Sequence, residues 1–317
     1  MYVSNETAGT IAFLDGSTGA VEAQVAVGKR PRGVKLSRDG SRLFVALSGS
    51  PIAGPGVDES KLPPADRSAD GIGVVDLASR KLVKIYPSGP DPEAFDVSPD
   101  GKTLYVSNED TAAMAVVDLE RGAVTKFVAV CGEPEGVTVA PDGRMVYVTC
   151  EADNAVAAVD TTSLQLVATI PTAPRPRGIV FSRDARTIFV TCENGAGLSV
   201  IDAATNTAKA KIPLTIPGVN EFPPRPMGAV LSSDGQQLFV TTGRAKAVAI
   251  LDATTRQQSA LIQDVGARPW GIAISPDGRR LYTANGPSGN VSFIDVATRT
   301  IERRATVGGS PWGVVVR

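Results

Sequence analysis

Short runs of alternating apolar and polar residues, separated by turn-forming residues, recur along the whole chain. One stretch holds four such runs in succession: Gly136–Ala140, Met145–Thr149, Ala155–Val159 and Leu164–Ile170. A Pro-Asp-Gly sequence separates the first two runs, and this combination is typical of a tight turn. Because alternation with a period of two indicates strands, and no segment keeps a helical period, the pattern predicts units of four short β-strands.

Two independent markers indicate that this unit occurs seven times. An aspartate that follows the third strand recurs at Asp15, Asp76, Asp118, Asp160, Asp202, Asp252 and Asp295. A Pro-x-Gly type of motif before the first strand recurs at Pro31, Pro92, Pro134, Pro176, Pro226, Pro269 and Pro311. Both series have a period of about 42 residues with one longer interval of 61 and another of 50. Repeats of four strands and this length are typical of β-propeller blades.

The predicted fold is therefore an all-β, seven-bladed β-propeller with four antiparallel strands in each blade, forming one domain over residues 1–317. The chain ends on a first-strand pattern at 313–317 and begins on a second-strand pattern at 2–5. We expect the two termini to complete one shared blade, which removes two open sheet edges. Two insertions, near Gly49–Ala69 and Pro213–Pro224, are expected on the loops that join strands two and three or strands four and one.

Those two kinds of loop lie on the same rim of a propeller, and here they carry varied charged and aromatic residues. The residue after each motif proline should point to one mouth of the central channel; in chain order these residues are Arg32, Glu93, Glu135, Arg177, Met227, Trp270 and Trp312. The candidate ligand-binding residues are Arg30, Arg32, Glu93, Glu135, Arg175, Arg177, Arg225, Arg268, Trp270 and Trp312.

Two interpretations of this mouth remain open. The arginines and glutamates pair across blades and close the channel, or they form a site for a ligand or partner. Tryptophan is enriched at binding hot spots, and clustered arginines suit a carboxylate, which favours binding. We expect that replacing Arg32 and Arg177 with alanine abolishes binding while the fold stays intact.

The chain contains no histidine, which excludes Ser-His-Asp and Cys-His catalysis and most zinc chemistry. No catalytic residue and no cofactor are predicted. A calcium-dependent hydrolase or lactonase is the alternative, with Glu6, Glu109, Glu151 and Glu193 as secondary candidates for metal ligands at the same rim.

The chain has three cysteines, and a small, odd number does not indicate a disulfide framework. Cys150 and Cys192 occupy equivalent places in adjacent units, too far apart to bond. A bridge between Cys131 and Cys150, on one rim of one blade, is geometrically allowed. The favoured interpretation is that all three are small apolar fillers.

The formal net charge of −1 gives no basic surface for nucleic acid, and no apolar run is long enough to span a membrane. We expect a monomer. Because the first residues after Met1 already have a strand pattern, we expect that an export signal has been removed from this chain.

The segments Tyr2-Val-Ser-Asn-Glu6 and Tyr147-Val-Thr-Cys-Glu151, with the Ser-Pro-Asp-Gly turns, resemble the YVTN family of β-propeller repeats over essentially the whole chain. Gly28–Gly33, Pro87–Glu93 and Pro311–Arg317 are similar to segments of the PQQ-dependent catabolism-associated β-propeller proteins. This narrower resemblance implies an exported, periplasmic or secreted bacterial protein found beside quinoprotein alcohol oxidation, with no assigned catalytic residues. The Pro-rich insertion near Gly49–Ala69 departs from that pattern.

Together these observations predict a non-catalytic binding or scaffold protein. Its partner would be a protein or a small anionic molecule at the Arg/Glu/Trp mouth. A third possibility is a surface-layer or adhesion module without a small-molecule site.

Overall fold

Seven four-stranded antiparallel sheets are arranged as the blades of a closed propeller in the computed structural model, which describes residues 1–52, 58, 61–217 and 224–317. The prediction of an all-β, seven-bladed fold is confirmed. Apart from two single-turn 3₁₀ helices, Arg67–Ala69 and Glu109–Thr111, the regular elements of the described residues are strands. Within the same residues, no helix reaches the length and apolarity needed to cross a membrane.

The first six blades follow one another along the chain. Blade 1 has β4 (Val34–Leu36), β5 (Arg42–Leu47), β6 (Gly71–Asp76) and β7 (Lys81–Tyr86); blade 2 has β8 (Pro92–Val97), β9 (Thr103–Asn108), β10 (Ala113–Asp118) and β11 (Ala123–Ala129); blade 3 has β12 (Pro134–Val139), β13 (Met145–Cys150), β14 (Ala155–Asp160) and β15 (Gln165–Pro171). Blade 4 has β16 (Pro176–Phe181), β17 (Thr187–Cys192), β18 (Gly197–Asp202) and β19 (Thr207–Pro213); blade 5 has β20 (Pro226–Leu231), β21 (Gln237–Thr242), β22 (Ala247–Asp252) and β23 (Gln258–Ile262); blade 6 has β24 (Pro269–Ile274), β25 (Arg280–Asn285), β26 (Asn290–Asp295) and β27 (Thr300–Thr306).

Blade 7 is completed by both termini, as predicted. Its innermost strand is the C-terminal β28 (Pro311–Val315), followed outward by β1 (Tyr2–Asn5), β2 (Thr10–Leu14) and β3 (Val21–Ala26). The register pairs Val3 with Val314. This pairing closes the ring without leaving either terminal strand as a free inner edge.

The core lies between neighbouring blades. Strands two and three of each blade are almost entirely buried, while strand four is largely exposed. The largest fully buried side chains include Tyr147, Phe189, Phe239 and Phe293, which all lie on second or third strands. Tyr147 of blade 3 packs in one cluster with Ile188 and Val190 of blade 4, so each interface is a layer of apolar side chains.

The turns on the opposite rim are explained by local backbone chemistry. The side chain of Asp160 accepts hydrogen bonds from the backbone N–H groups of Thr162 (3.1 Å) and Ser163 (2.7 Å). The N–H of Gly101 donates to the Ser98 carbonyl at 2.8 Å and closes the Ser-Pro-Asp-Gly turn. These contacts agree with the structural role that the sequence predicts for the Asp and Ser-Pro-Asp-Gly turns.

Five buried hydroxyl groups tie adjacent blades together around the channel. Each accepts from a backbone N–H of its own innermost strand and donates to the carbonyl of the residue after the motif proline in the next blade. The pairs are Ser4 with Arg32 (2.6 Å), Ser107 with Glu135 (2.6 Å), Thr149 with Arg177 (2.9 Å), Thr191 with Met227 (2.5 Å) and Thr241 with Trp270 (3.1 Å). The hydroxyls therefore fix the backbone of the residues that surround the mouth.

The glycine of the Pro-x-Gly motif permits this close approach. A Cβ atom on Gly136 would lie 2.1 Å from the carbonyl oxygen of Arg177, and one on Gly228 would lie 2.6 Å from that of Trp270. Any larger residue would push neighbouring innermost strands apart. The repeated motif thus has a packing role independent of any ligand.

Replacing Thr191 with valine should lower the free energy of unfolding by about 1–2 kcal/mol, because the Met227 carbonyl and the Gly178 N–H each lose a buried partner. Urea denaturation measures this loss. The control is Thr205→Val in an exposed turn, which should change stability by less than about 0.5 kcal/mol. Equal losses in the two variants would contradict the role of the hydroxyl.

Both insertions emerge on the predicted rim. The first joins β5 to β6, and the second joins β19 to β20. Residues 53–57, 59–60 and 218–223 of these insertions lie outside the described residues. The described part of the first insertion contacts the mouth, since the carbonyls of Ser50 and Pro51 accept hydrogen bonds from Arg30 at 3.0 and 3.2 Å.

Candidate functional site

The strand two-to-three and four-to-one loops surround an open cavity of about 570 Å³ at one end of the channel, which we call the mouth. Arg32, Arg177, Trp270 and Trp312 all line it. Below the mouth, the channel has a volume of about 250 Å³ and shares Arg177, Trp270, Trp312 and Glu135 with it. The closed ring therefore brings together charged and aromatic side chains from blades that are distant in sequence.

Arg32 is held in ion pairs on one side of the mouth and is only 3% exposed. Its Nη2 donates to Asp91 Oδ1 at 2.8 Å and to the Pro92 carbonyl at 3.0 Å, while its Nη1 contacts the Glu93 carboxylate. Nearby, Arg30 Nε donates to Glu6 Oε1 at 3.1 Å. The Arg and Glu residues on this side are paired across blades, which agrees with the structural interpretation of the mouth.

Arg177 contacts three carboxylates. Its Nη1 meets Glu135 and lies 2.7 Å from Glu151 Oε2, and its Nη2 and Nε are both 2.9 Å from Glu193 Oε2. Burial disfavours the charged guanidinium, but the three carboxylates outweigh burial and raise the pKa of Arg177. The prediction that the fold stays intact without Arg32 and Arg177 does not agree with this burial. Removing either arginine would leave buried carboxylates without their cation.

Three further arginines surround Arg177, and we call Arg175, Arg177, Arg225 and Arg268 the arginine cluster. Arg175 Nη2 lies 2.6 Å from Glu151 Oε1, and Arg225 Nη1 donates to Glu193 Oε1 at 3.3 Å. Arg175 Nε is 3.1 Å from Glu193 but too poorly aligned to donate to it. Glu193 is therefore shared by three guanidinium groups.

Arg268 differs from the rest of the cluster. Among the described residues, no carboxylate lies within 4 Å of its guanidinium, which sits 4.7 Å from the centre of the Trp270 ring. Partial burial lowers the pKa of Arg268, and the positive charges of Arg177, Arg225 and Arg175 act in the same direction against the attraction of Glu193. The blade 4 to blade 6 side of the mouth thus has an excess of positive charge.

A pair of tryptophans borders the arginine cluster. Trp270 and Trp312 are stacked, with ring centres 5.6 Å apart and ring planes at 18°. The Arg177 guanidinium lies 5.6 Å from the Trp270 ring centre, so Trp270 contacts two cations and one indole. Both tryptophans are partly exposed. The two indole rings therefore present an apolar surface beside a group of cations.

Three carboxyl groups near the cluster have pKa values that are shifted in different directions. Burial and the neighbouring charge of Glu135 raise the pKa of Glu151 to about 8, and the same two causes raise the pKa of Glu109 to about 7. Burial also acts against ionisation of Glu135, but the charge of Arg177 and a hydrogen bond from Glu151 outweigh it and lower the Glu135 pKa. Within this coupled pair, Glu151 therefore holds a proton more readily than Glu135 does.

The four secondary metal candidates do not form one cluster of ligands, and each faces arginine. Glu6 pairs with Arg30, Glu151 with Arg175 and Arg177, and Glu193 with the arginine cluster; Glu109 is 4.0 Å from Arg32. In the part of the chain that the structure describes, no three acidic or cysteine side chains are grouped in a way that suits a metal ion. These oxygens face guanidinium groups.

One feature that sequence reasoning missed is the backbone before the motif proline. Arg175, Arg225 and Arg268 have φ values of 59°, 57° and 48°, and Arg30, Asp91 and Glu133 share this left-handed conformation. The signal was present as a charged residue before proline in six of the seven loops. Asp91, which pairs with Arg32, also precedes a motif proline and was not predicted as a site residue.

The favoured prediction for the cysteines is wrong in part. Cys131 and Cys150 form a disulfide with a Cα–Cα distance of 5.6 Å, whereas Cys192 is free and buried. Cys131 lies in the loop before β12, and Cys150 ends β13 opposite Pro134, the first residue of β12, so the loop brings Cys131 next to Cys150. The bridge holds the loops that carry Glu135 and Glu151. Cys150 and Cys192 do not pair, as expected.

Removing the disulfide by a Cys131→Ser and Cys150→Ser double substitution should lower the free energy of unfolding by about 2–4 kcal/mol, since the bridge restricts the unfolded chain. Urea denaturation with and without reductant measures the loss. Reductant should destabilise the native protein by a similar amount and leave the double variant unchanged. A native protein whose unfolding is insensitive to reductant would contradict this bond.

A family model described as a seven-bladed β-propeller lactonase matches residues 175–311, which is less than half of the chain. This segment begins at Arg175 and contains the whole arginine cluster and Trp270. No curated protein matches the chain.

Several solved structures share the fold. Hydrazine synthase of Kuenenia stuttgartiensis superposes with a TM-score of 0.79 at 24% identity, covering 93% of this chain and 92% of that one. A functionally unknown protein from Desulfotomaculum acetoxidans gives 0.78 at 13% identity, covering 99% of both chains. A proposed 6-phosphogluconolactonase from Bacteroides fragilis gives 0.78 at 16% identity, covering 98% of this chain and 96% of that one. At these identities the likeness establishes the seven-bladed fold.

Proposed function

We propose that this protein binds a small organic anion at the arginine cluster, as a non-catalytic binding or scaffold protein. The observation that carries this proposal is the Arg268 guanidinium, which lies beside three other arginines and has no carboxylate partner among the described residues. A partly buried cation without a counter-ion is costly, and a bound anion would remove that cost.

The charge balance supports an anion. The four guanidiniums of the cluster face three carboxyl groups, Glu135, Glu151 and Glu193, and the pKa of Glu151 is raised to about 8. Arginine presents paired N–H groups that match a carboxylate, so a ligand carboxylate fits this site better than a neutral molecule does.

The ligand should also have an apolar part. Trp270 contacts Arg268 and stacks on Trp312, and both rings line the mouth. An anion held by Arg268 would therefore place its remaining atoms against indole surface.

The finer description continues the resemblance drawn from the sequence. We propose an exported, periplasmic or secreted bacterial protein of the YVTN type, associated with quinoprotein alcohol oxidation. The disulfide between Cys131 and Cys150 supports export, because such bonds persist in oxidising compartments. A protein partner at the same mouth is compatible with this description, as is a monomeric protein that does not bind nucleic acid.

Hydrolysis of a lactone is the second candidate function, in the calcium-dependent form that the sequence suggested or without a metal. It is favoured by the lactonase family model over residues 175–311 and by the structural neighbours described as proposed 6-phosphogluconolactonases. Glu109, which is 35% exposed at the mouth with a pKa of about 7, is suited to proton transfer at neutral pH. The carboxylate product of such a reaction would also suit the arginine cluster.

Calorimetric titration at pH 7 and low ionic strength tests the first proposal. We expect D-gluconate and benzoate to bind, and the neutral analogues D-glucose and benzyl alcohol not to bind. Equal affinity for charged and neutral members would contradict the proposal. Adding D-glucono-δ-lactone with and without calcium, and following acid release above the uncatalysed rate, tests the second candidate on the same protein.

A further inference from the structure

Glu151 occupies Arg175 and Arg177, the members of the arginine cluster that a ligand carboxylate at Arg268 would contact in addition to Arg268 and Arg225. Its two oxygens lie 2.6 Å from Arg175 Nη2 and 2.7 Å from Arg177 Nη1, so it bridges both arginines as a ligand carboxylate would. Its side chain is 9% exposed, and Arg175 is 40% exposed at the mouth. The chain thus supplies its own carboxylate at the accessible edge of the cluster.

From this arrangement we propose that Glu151 is a proton-controlled internal competitor: when ionised it occupies Arg175 and Arg177, and when protonated it releases them to the incoming anion. This proposal rests on anion binding at the arginine cluster and deepens it. Where Glu151 is ionised in the free protein, the site then takes up one proton together with each anion, so that a charged ligand enters without changing the net charge of the mouth.

The groups that face Glu151 allow this exchange. The Glu135 carboxylate accepts a hydrogen bond from protonated Glu151 and stays ionised against Arg177, so the released proton donor keeps a partner. Glu193 holds the other side of Arg177 at 2.9 Å. Glu109 acts on the pair through the charge of Glu135 but does not contact Arg175 or Arg177 in the described structure.

The direction of the pH dependence follows from competition. An anion on Arg175 and Arg177 removes the attraction that favours ionised Glu151, so binding raises the Glu151 pKa above its value of about 8 in the free protein. Protons are taken up wherever free Glu151 is ionised and bound Glu151 is not. Affinity should be constant below about pH 7 and fall by up to about tenfold for each pH unit above pH 8.

Calorimetry of D-gluconate binding at pH 9, in two buffers with different heats of ionisation, measures the proton uptake directly. Gluconate stays ionised over this range, so the protons must bind to the protein. We expect about one proton per bound anion in the native protein and none in Glu151→Gln, which should bind about tenfold more tightly than the native protein at pH 9. Glu109→Gln is the matched control and should retain the uptake.

The outcomes separate this inference from the proposed function. Gluconate binding without proton uptake, or uptake that persists in Glu151→Gln, would overturn the role of Glu151 and leave anion binding in place. Failure of gluconate, benzoate and sulfate to bind at any pH would overturn both. If Glu151→Gln does not fold, the slope of affinity against pH in the native protein decides, since a flat profile between pH 7 and pH 9 contradicts the exchange.

Discussion

Replacing Arg177 with methionine should lower the free energy of unfolding by about 3–5 kcal/mol, although the new side chain fills much of the same volume. The loss arises because Glu135, Glu151 and Glu193 converge on one guanidinium that is 8% exposed, and they would become a group of buried carboxyls without that partner. Breaking a buried pair by removing one member costs more than the pair itself contributes. Urea denaturation at pH 7 measures the change.

The pH dependence of this loss identifies its cause. Buried carboxyl groups without a cation cost less when they are protonated. The difference in the free energy of unfolding between Arg177→Met and the native protein should therefore shrink as the pH falls from 8 to 5. Arg80→Met is the control, because Arg80 pairs with Glu22 on the exposed surface and its loss should cost less than about 1 kcal/mol. A loss for Arg177→Met that is as small as the control would show that the ion-pair network does not hold the mouth together.

Replacing Arg225 and Arg268 together with glutamine should weaken gluconate binding at least about 100-fold, since each charge-assisted hydrogen bond to a ligand contributes about 1.5–3 kcal/mol. Stability should change little, because among the described residues Arg268 has no carboxylate partner and the one carboxylate partner of Arg225 is Glu193 at 3.3 Å. The single variant Arg268→Gln should lose about tenfold. Isothermal titration calorimetry at low ionic strength measures both effects.

Arg30→Gln provides the matched control for this pair. Arg30 lies on the same rim and has the same charge, but Glu6 and the carbonyls of Ser50 and Pro51 already satisfy its guanidinium. Its replacement should leave gluconate affinity within about twofold of the native value, as expected for a cation that already has a carboxylate partner. A loss of affinity in Arg30→Gln equal to that in Arg268→Gln would mean that the mouth attracts anions by its overall charge and not at the arginine cluster.

Repetition made the fold predictable. The spacing of the Asp and Pro-x-Gly markers determined the number of blades, and the strand patterns at 2–5 and 313–317 identified the shared blade. The same regularity revealed which residues surround the mouth, because one position of the repeat, after the motif proline, always has the same place in a blade. Each of these predictions depends on local pattern and symmetry alone.

Pairing at the mouth was not predictable in the same way. Arg30 and Arg268 occupy the same position of the repeat, yet Arg30 pairs with Glu6 while Arg268 meets Trp270. The difference depends on contacts between blades and on side-chain conformations, which a one-dimensional pattern does not contain. The disulfide was underestimated for a similar reason, since the path of the loop before β12 determines that Cys131 reaches Cys150.

Anomalous diffraction from crystals soaked in sodium bromide would test most directly whether uncompensated arginines create an anion site in the mouth. We expect a strong bromide peak in contact with the guanidiniums of Arg225 and Arg268, beside the Trp270 ring. A mouth without bromide, in which a protein carboxylate holds the Arg268 guanidinium, would contradict this site.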